Sequence, residues 1–409
     1  MTWGSDGDVR PMLALAAGLV RRGHEVRVVA TSVDDTAYGP LCERVHVPLT
    51  LVPERVQASL AEVSRTAGGN DAKLLRELLS VAFTPFLDAL TVAAEGLCDW
   101  SDVVVGHFMA WPLRALATRR SVPHVSFVPW PGMVPTTTRP LPGIPALPGF
   151  TWLSWALARL VVGRLVRPIV APLWSRQALP PVRDVFEDVL LSKTMTLVGA
   201  SPSLCPAPVD WRTTVVCGAL TFDEAAEPWQ PDAVTAAFLE EHPRPLFLSL
   251  GSSEQVAPER TRSLLVEAAH ESKRPAIVQL KSERPVTATR EAHLLFLPRA
   301  PHHQLFPRCA GVIHHGGAGT VHTVARAGVP SLTLGFVAEQ MDWGRRLAAT
   351  GAAMPPRSFW KATPEAVAQA MTGLVAEPSF AQAARALASR VAPENGVERA
   401  VSLLEALRR

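Results

Sequence analysis

The sequence predicts an α/β protein made of two doubly wound, Rossmann-like domains, and three observations predict it. Short apolar runs alternate with helical patterns along most of the 409 residues, as in parallel sheets covered by helices. The alternation comes as two series, separated by Ala219 to Arg244, a stretch with Pro228, Pro231 and Pro243 and no apolar period. A glycine-rich turn, His315-Gly-Gly-Ala-Gly-Thr320, joins an apolar run to a helical pattern in the second series. A chain this long is expected to form two domains of about 200 residues each. The N-terminal domain is placed at 1–220, a linker at 221–244 and the C-terminal domain at 245–409, with the last helix free to return to the first domain.

In the first series, Glu25–Ala30, Asp102–Gly106, Val122–Phe127, Thr194–Gly199 and Val215–Gly218 read as strands. Helical patterns fill Val9–Arg22, Asp71–Cys98 and Trp111–Arg119. Gly4-Ser-Asp-Gly-Asp8-Val-Arg-Pro11 reads as a turn opening the first helix, with Asp8 as N-cap and Pro11 in the first turn. Only Met-Thr-Trp precedes it, so a central strand is expected to be missing, through a misassigned start or a truncation. Pro129 to Pro148 is too long for a simple connection and is expected to shape a pocket.

Thr151 to Trp174 is strongly apolar, but Arg159, Arg164 and Arg167 interrupt it, so it does not read as a membrane span. The arginines share one helical sector. The segment reads as an amphipathic helix that covers an apolar cleft or touches a membrane surface, or else as an ordinary core helix.

The second series has strands at Pro245–Gly251, Pro275–Leu280, His293–Leu297, Gly311–His314 and Ser331–Leu334. Its helices are Pro258–Ser272, Thr320–Ala327 and Gln340–Thr350, followed by a helical end from Thr363 to Arg409. In such sheets ligands bind beyond the carboxyl ends of the strands, so both domains are expected to line one cleft.

Composition narrows the function. A net charge of +3 and a single tyrosine, Tyr38, exclude a nucleic-acid interface of the usual basic, aromatic kind. Five cysteines at wide spacings, without Cys-x-x-Cys, point to reduced thiols and a cytoplasmic protein. The first residues show no basic and apolar leader pattern.

The glycine turn carries the clearest chemistry. A helix opening there presents unpaired N–H groups and its positive dipole end, which suits a phosphate or diphosphate. His315 adds a donor and Thr320 a hydroxyl. His302, His303, His314, His315 and His322 invite a metal reading. However, no Cys or carboxylate stands at zinc-like spacing among them, and His314 and His315 face opposite sides of a strand. No metal site is expected.

Six segments in order carry a resemblance: Gly4 to Pro11, Ser249-Leu-Gly251-Ser252, Leu297-Pro-Arg-Ala-Pro-His302, His315 to Thr320, Ala327-Gly-Val-Pro330 and Glu339-Gln340. Over nearly its whole length the chain resembles the GT-B nucleotide-sugar glycosyltransferases of family 1, especially the antibiotic (vancomycin and macrolide type) and sterol enzymes. The resemblance implies inverting transfer of a hexose from an NDP-sugar to a hydroxyl of a hydrophobic natural product or lipid. It implies neither metal nor cofactor, the NDP-sugar being a substrate.

The resemblance also implies roles. Gly251, Ser252, His315, Gly317, Gly319 and Thr320 would hold the diphosphate, and Glu339 and Gln340 the sugar hydroxyls. Arg299 falls where many relatives stack a tryptophan on the base, with Ala300 and His302 beside the base edge or ribose. Thr323 stands where many UDP-sugar enzymes carry a ribose-binding glutamate, which leaves UDP or TDP undecided. Asp8 matches the catalytic aspartate, with His107 as a rival base after the strand 102–106. Phe108, Trp111, Trp130 and Met133, with Trp152 and Trp155, are candidates for an apolar acceptor pocket.

The alternatives are a nucleotide-sugar epimerase of the same architecture and a non-catalytic helper protein that keeps the fold. A dinucleotide oxidoreductase fits worse: the N-terminal turn is Gly-x-x-Gly, although Asp34 and Asp35 follow the next strand.

Overall fold

A computed structural model of the chain describes residues 1–33, 36–53, 63, 71–144, 149–222, 228–280 and 287–407. Asp34 and Asp35 lie outside the described residues, as do 145–148 of the proline-rich loop and 223–227 of the expected linker. The described residues divide into one unit of 1–222 with 395–407 and a second of 228–394.

Unit 1 contains two parallel sheets. The first has the order β1 (Thr2–Gly4), β2 (Val28–Ser32), β3 (Leu49–Leu51). The second runs β4 (Val104–His107), β5 (His124–Val128), β6 (Met195–Val198), β7 (Thr214–Val216). They meet at β1 and β4, where the Met1 amine donates to the Val105 carbonyl (2.7 Å) and the His107 N–H donates to the Met1 carbonyl (2.8 Å). β1 therefore has β2 on one side and β4 on the other, which is a topological switch point.

This overturns the expectation of a missing central strand, because Thr2–Gly4 form it. Tertiary burial holds so short a strand: Met1, Thr2 and Trp3 are buried, and the Trp3 indole donates to the Ala82 carbonyl (2.9 Å).

Helices α1 (Asp6–Arg21), α2 (Gly39–Arg44), α3 (Asp71–Ala82), α4 (Leu87–Trp100), α5 (Trp111–Arg120) and α6 (Thr151–Arg176) belong to this unit. The helical pattern expected over 71–98 is two helices, parted by a 3₁₀ turn at Thr84–Phe86. Pro85 stands there, and it has no N–H to continue the ladder.

Unit 2 opens with α7 (Ala233–Glu241), inside the stretch expected to be a linker. The Asp232 side chain caps it, accepting from the Thr235 N–H (2.7 Å), and Phe238 and Leu239 are buried. Its sheet has the order β10 (Thr289–Glu291), β11 (Leu294–Phe296), β9 (Ala276–Val278), β8 (Leu246–Ser249), β12 (Gly311–His314), β13 (Ser331–Gly335), β14 (Arg357–Ser358). Only the β10–β11 pair is antiparallel. The central strands are leucine, isoleucine and valine rich and are covered on both faces.

The remaining helices of unit 2 are α8 (Pro258–Ser272), α9 (His302–Leu305), α10 (Ala318–Ala327), α11 (Ala338–Ala349), α12 (Pro364–Ala376) and α13 (Pro378–Val391). β8 lies between β9 and β12, so this sheet also reverses direction of growth at its first strand. The last helix, α14 (Gly396–Ala406), belongs to unit 1. Val397, Val401 and Leu404 pack with Met12 and Leu15 of α1, and Arg22 pairs with Glu405 (2.7 Å).

Candidate active site

In unit 1 the chain leaves β1 into a tight turn and enters α1. Ser5 is the N-cap, so α1 starts earlier than the sequence suggests and Asp8 is its third residue rather than its cap. The Asp8 carboxylate reaches back: Oδ2 accepts from the Ser5 N–H (2.9 Å) and hydroxyl (3.1 Å), as in a capping box. Gly4 has φ +139°, and a Cβ there would overlap the Asp8 carboxylate, so the close approach requires glycine.

The other carboxylate oxygen, Oδ1, stands 3.4 Å from His107 Nε2. His107 ends β4, and its ring is 2% exposed. Its Nδ1 accepts from the Met109 N–H (3.4 Å), and Nε2 is the ring nitrogen on the Asp8 side. The two residues that compete in the sequence for one role are partners in the fold. They meet because β1 and β4 are neighbours at the switch point.

The acceptor candidates divide. Phe108 follows β4, and Trp130 and Met133 follow β5, so all three stand at the carboxyl edge of adjacent strands. Trp111 does not line a pocket: it is fully buried, 4.5 Å from the Phe83 ring, with its indole N–H donated to the Phe108 carbonyl (3.1 Å). Trp155 also turns inward, edge-on to Phe186 at 5.4 Å and donating to the Arg139 carbonyl (2.8 Å). Trp152 points outward.

In unit 2 the register of β8 and β12 sets Ser249 opposite His314. The segments just beyond them, the 3₁₀ turn Gly251–Val256 and the turn at His315, therefore run side by side. The His315 ring packs over Gly251 and Gly317; a Cβ on Gly251 would come within 3.0 Å of it. Gly316 has φ +90°, and a Cβ there would lie 2.7 Å from the Gln340 carbonyl oxygen and from Thr333. Gly317 opens α10 without a side-chain cap, leaving the first-turn N–H groups directed outward.

His314 braces this turn from within: its Nδ1 accepts from the Gly316 N–H (3.0 Å). Burial, with His315 beside it, pushes its pKa down to about 3. Gln340 ties three segments together, its amide donating to Ser253 Oγ (3.1 Å) and accepting from the Phe336 N–H (2.8 Å). Ser252 is exposed on the same turn, Glu339 is half-buried in the first turn of α11, and Thr320 and Gly319 lie in the first turn of α10. The candidates for diphosphate and sugar thus gather at the carboxyl edge of β8, β12 and β13.

Arg299 and Ala300 follow β11, Arg299 exposed and Ala300 half-buried. His302 bonds through Nε2 to Gln279 Oε1 (2.8 Å) and stacks on Phe306 at 4.7 Å. Burial, with the charge of His303, lowers its pKa to about 4, so it is neutral near pH 7. Thr323 gives its hydroxyl to the Gly319 carbonyl one turn back (2.8 Å). Among the described residues no three His, Cys, Asp or Glu side chains are grouped to hold a metal.

His314 and Ser253 are the participants that sequence reasoning passes over. A histidine before a glycine turn gives a usable signal, since its Nδ1 can reach the N–H two residues on. Nothing local distinguishes Ser253 from Ser252.

The two halves offer distinct chemistry. Asp8 with His107 can accept and hold a proton, and the His315 turn presents N–H donors to an anion. Residues 277–407 match the family model described as Erythromycin biosynthesis protein CIII-like, C-terminal domain. The chain is 31% identical to the O-mycaminosyltylonolide 6-deoxyallosyltransferase of Streptomyces fradiae, over 99% of this chain and 96% of that one. It is 26% identical to a sterol 3-beta-glucosyltransferase of Arabidopsis thaliana, covering 97% of this chain and 66% of that longer one. The fold is similar to that of the glycosyltransferase VinC in complex with dTDP, with a TM-score of 0.65, 18% identity and coverage of 99% and 98%.

Proposed function

This chain belongs to the glycosyltransferase family of those antibiotic and sterol enzymes, and we propose that it moves a hexose from a TDP-sugar, with inversion, to a hydroxyl of a hydrophobic natural product or lipid. The glycine turn braced by His314 and topped by His315 is the observation that carries the reading. It offers a leaving diphosphate neutral and imidazole donors without a metal.

Each residue then has a task. The acceptor oxygen attacks the anomeric carbon, its proton passes to the Asp8 carboxylate, and the carbon–oxygen bond to the diphosphate breaks. Asp8 rather than His107 is the base, because the Asp8 side chain is 26% exposed and the His107 ring is nearly enclosed. His107 is a positioning residue, its Nε2 standing 3.4 Å from Asp8 Oδ1. The negative charge that leaves with the diphosphate falls to the α10 N–H groups, His315, Thr320 and Ser252. Glu339 and Gln340 receive the sugar hydroxyls.

TDP is favoured over UDP because the Thr323 hydroxyl is bonded within its own helix and offers a ribose no carboxylate. The dTDP complex of a similarly folded enzyme supports the same choice. A hydrophobic acceptor suits Phe108, Trp130 and Met133, and suits the O-mycaminosyltylonolide and sterol named for the relatives. Five buried cysteines, none in a disulfide, suit the cytoplasm.

The test offers the protein TDP-glucose or UDP-glucose with a panel of macrolide aglycones and sterols. We expect acceptor-dependent release of TDP and, from an α-linked donor, a β-linked product by NMR. An epimerised sugar nucleotide formed without acceptor would replace the proposal with an epimerase. Neither transfer nor donor hydrolysis by the folded protein would indicate a helper.

A further inference from the structure

Helix α6 buries one side and leaves the other uncovered. Trp155, Ala158, Val166, Val170 and Leu173 face inward. On the outer side Trp152 is 66% exposed, Leu153 41%, Leu157 40% and Leu160 51%, with Phe150 before them at 54%. Leu153, Leu157, Leu160, Arg164 and Arg167 follow each other at spacings of four and three, so they form one line along the helix. That line is apolar over the first half of α6 and cationic beyond it.

Within the chain segment that carries this line, the charge has one sign. From Val103 to Arg183 the chain holds nine arginines and no acidic residue. Arg159 is paired with Asp184 (2.5 Å) and Arg176 with Asp88 (3.0 Å). Arg167 donates to the Arg183 carbonyl (2.5 Å), a neutral partner, and among the described residues no carboxylate pairs with it; Arg139 and Arg164 are exposed. Of the acids that follow, Asp188 accepts from the Arg183 and Asp184 N–H groups (2.9 and 3.0 Å), and Glu187 stands exposed beside it.

From this arrangement we propose that α6 docks on an anionic membrane surface. Trp152, Leu153, Leu157 and Leu160 enter the headgroup region, and Arg164 and Arg167 meet lipid phosphates. The face is a convex helix edge of bulky side chains, which lipid can accommodate without a matching pocket. Two copies of so uniformly positive a segment repel one another, which disfavours self-association through this face. An apolar insertion combined with basic residues supplies the two contributions that stable, reversible membrane binding requires. Tryptophan at the edge of the patch suits the interfacial depth. The proposal stands on α6 alone and does not depend on which sugar or acceptor the enzyme uses.

The experiment is co-sedimentation of the full chain with phosphatidylcholine vesicles, with and without phosphatidylglycerol. We expect binding to the anionic vesicles that weakens with salt, and much weaker binding to phosphatidylcholine alone. Arg164→Gln and Arg167→Gln should each lower the partition coefficient about fivefold. Leu157→Gln with Leu160→Gln should lower it on both vesicle types. The arginine variants carry the test if the leucine variant does not fold. Absence of binding to anionic vesicles, or binding unchanged in both arginine variants, overturns the proposal. A concentration-dependent dimer lost in Leu157→Gln would assign the face to a second copy instead. A raised KM for a water-soluble acceptor in that variant, without vesicle binding, would assign it to the acceptor site.

Discussion

His107 Nε2 stands 3.4 Å from Asp8 Oδ1, and the Asp8 Oδ2 is held by the Ser5 N–H at 2.9 Å. One carboxylate thus has two attachments with different consequences. The Ser5 contacts belong to the helix terminus, and the His107 contact belongs to the chemistry proposed for the site.

Replacing Asp8 by Asn keeps an oxygen for the Ser5 N–H and removes the base. Turnover should fall about 100- to 10,000-fold, with little change in melting temperature. Asp8→Ala should lose the same activity and also about 1 kcal/mol of stability with the hydrogen bond from the Ser5 N–H. His107→Gln should reduce kcat less than Asp8→Asn, and the double variant should be no worse than Asp8→Asn alone, since groups that act as a unit are non-additive. Additive losses in the kinetics would separate the pair.

Two neighbours in the glycine turn should behave differently. His315→Ala removes a donor that acts on the leaving group, so kcat should drop about 100- to 1,000-fold while the fold persists. Gly316→Ala places a Cβ 2.7 Å from the Gln340 carbonyl oxygen at φ +90°. It should destabilise the protein by about 2–3 kcal/mol, seen in thermal melts, and weaken TDP binding by calorimetry. A Gly316→Ala protein with native stability would contradict the turn geometry.

Stability should decline in mild acid. Burial holds His314 at about 3 and His302 at about 4, against 6.5 for an unhindered histidine. Below pH 6.5 the unfolded chain takes up protons that the folded chain refuses, so folding stability is full above that pH and falls between about 6.5 and 4 for His302 and on to about 3 for His314. Protonating His314 also removes the acceptor for the Gly316 N–H. Melting temperature recorded from pH 7.5 to 5 should show the decline, and His314→Asn, which retains an acceptor, should flatten it. A slope that His314→Asn leaves unaltered would point to other groups.

EDTA should leave the rate of transfer unaffected. The proposed site answers diphosphate charge with helix-end N–H groups and His315, and no metal-binding group occurs among the described residues. Activity lost in EDTA and restored by magnesium or manganese would show that a metal is required.

The sequence by itself determined much of this protein. Alternating apolar runs specify parallel strands and helices, because period and propensity act within a few residues. The strand Gly311–His314 and the helix Pro258–Ser272 are found at the positions the sequence indicates. The glycine turn after His315 was legible for the same reason: the positive φ at Gly316 is a local requirement.

Tertiary structure decided which distant residues meet. Asp8 and His107 become partners only because β1 lies beside β4, and that adjacency is set by sheet order rather than by either segment. Three residues make a strand at Thr2–Gly4 because both neighbours supply hydrogen bonds and burial that a short run cannot provide for itself. Trp111 and Trp152 both sit near helix starts, yet one is enclosed by Phe83 and the other faces solvent. Ser253 rather than Ser252 meets Gln340 for a similar reason. Local rules constrain dihedral angles and hydrophobic period, whereas pairing partners and buried faces depend on contacts between segments remote in the chain.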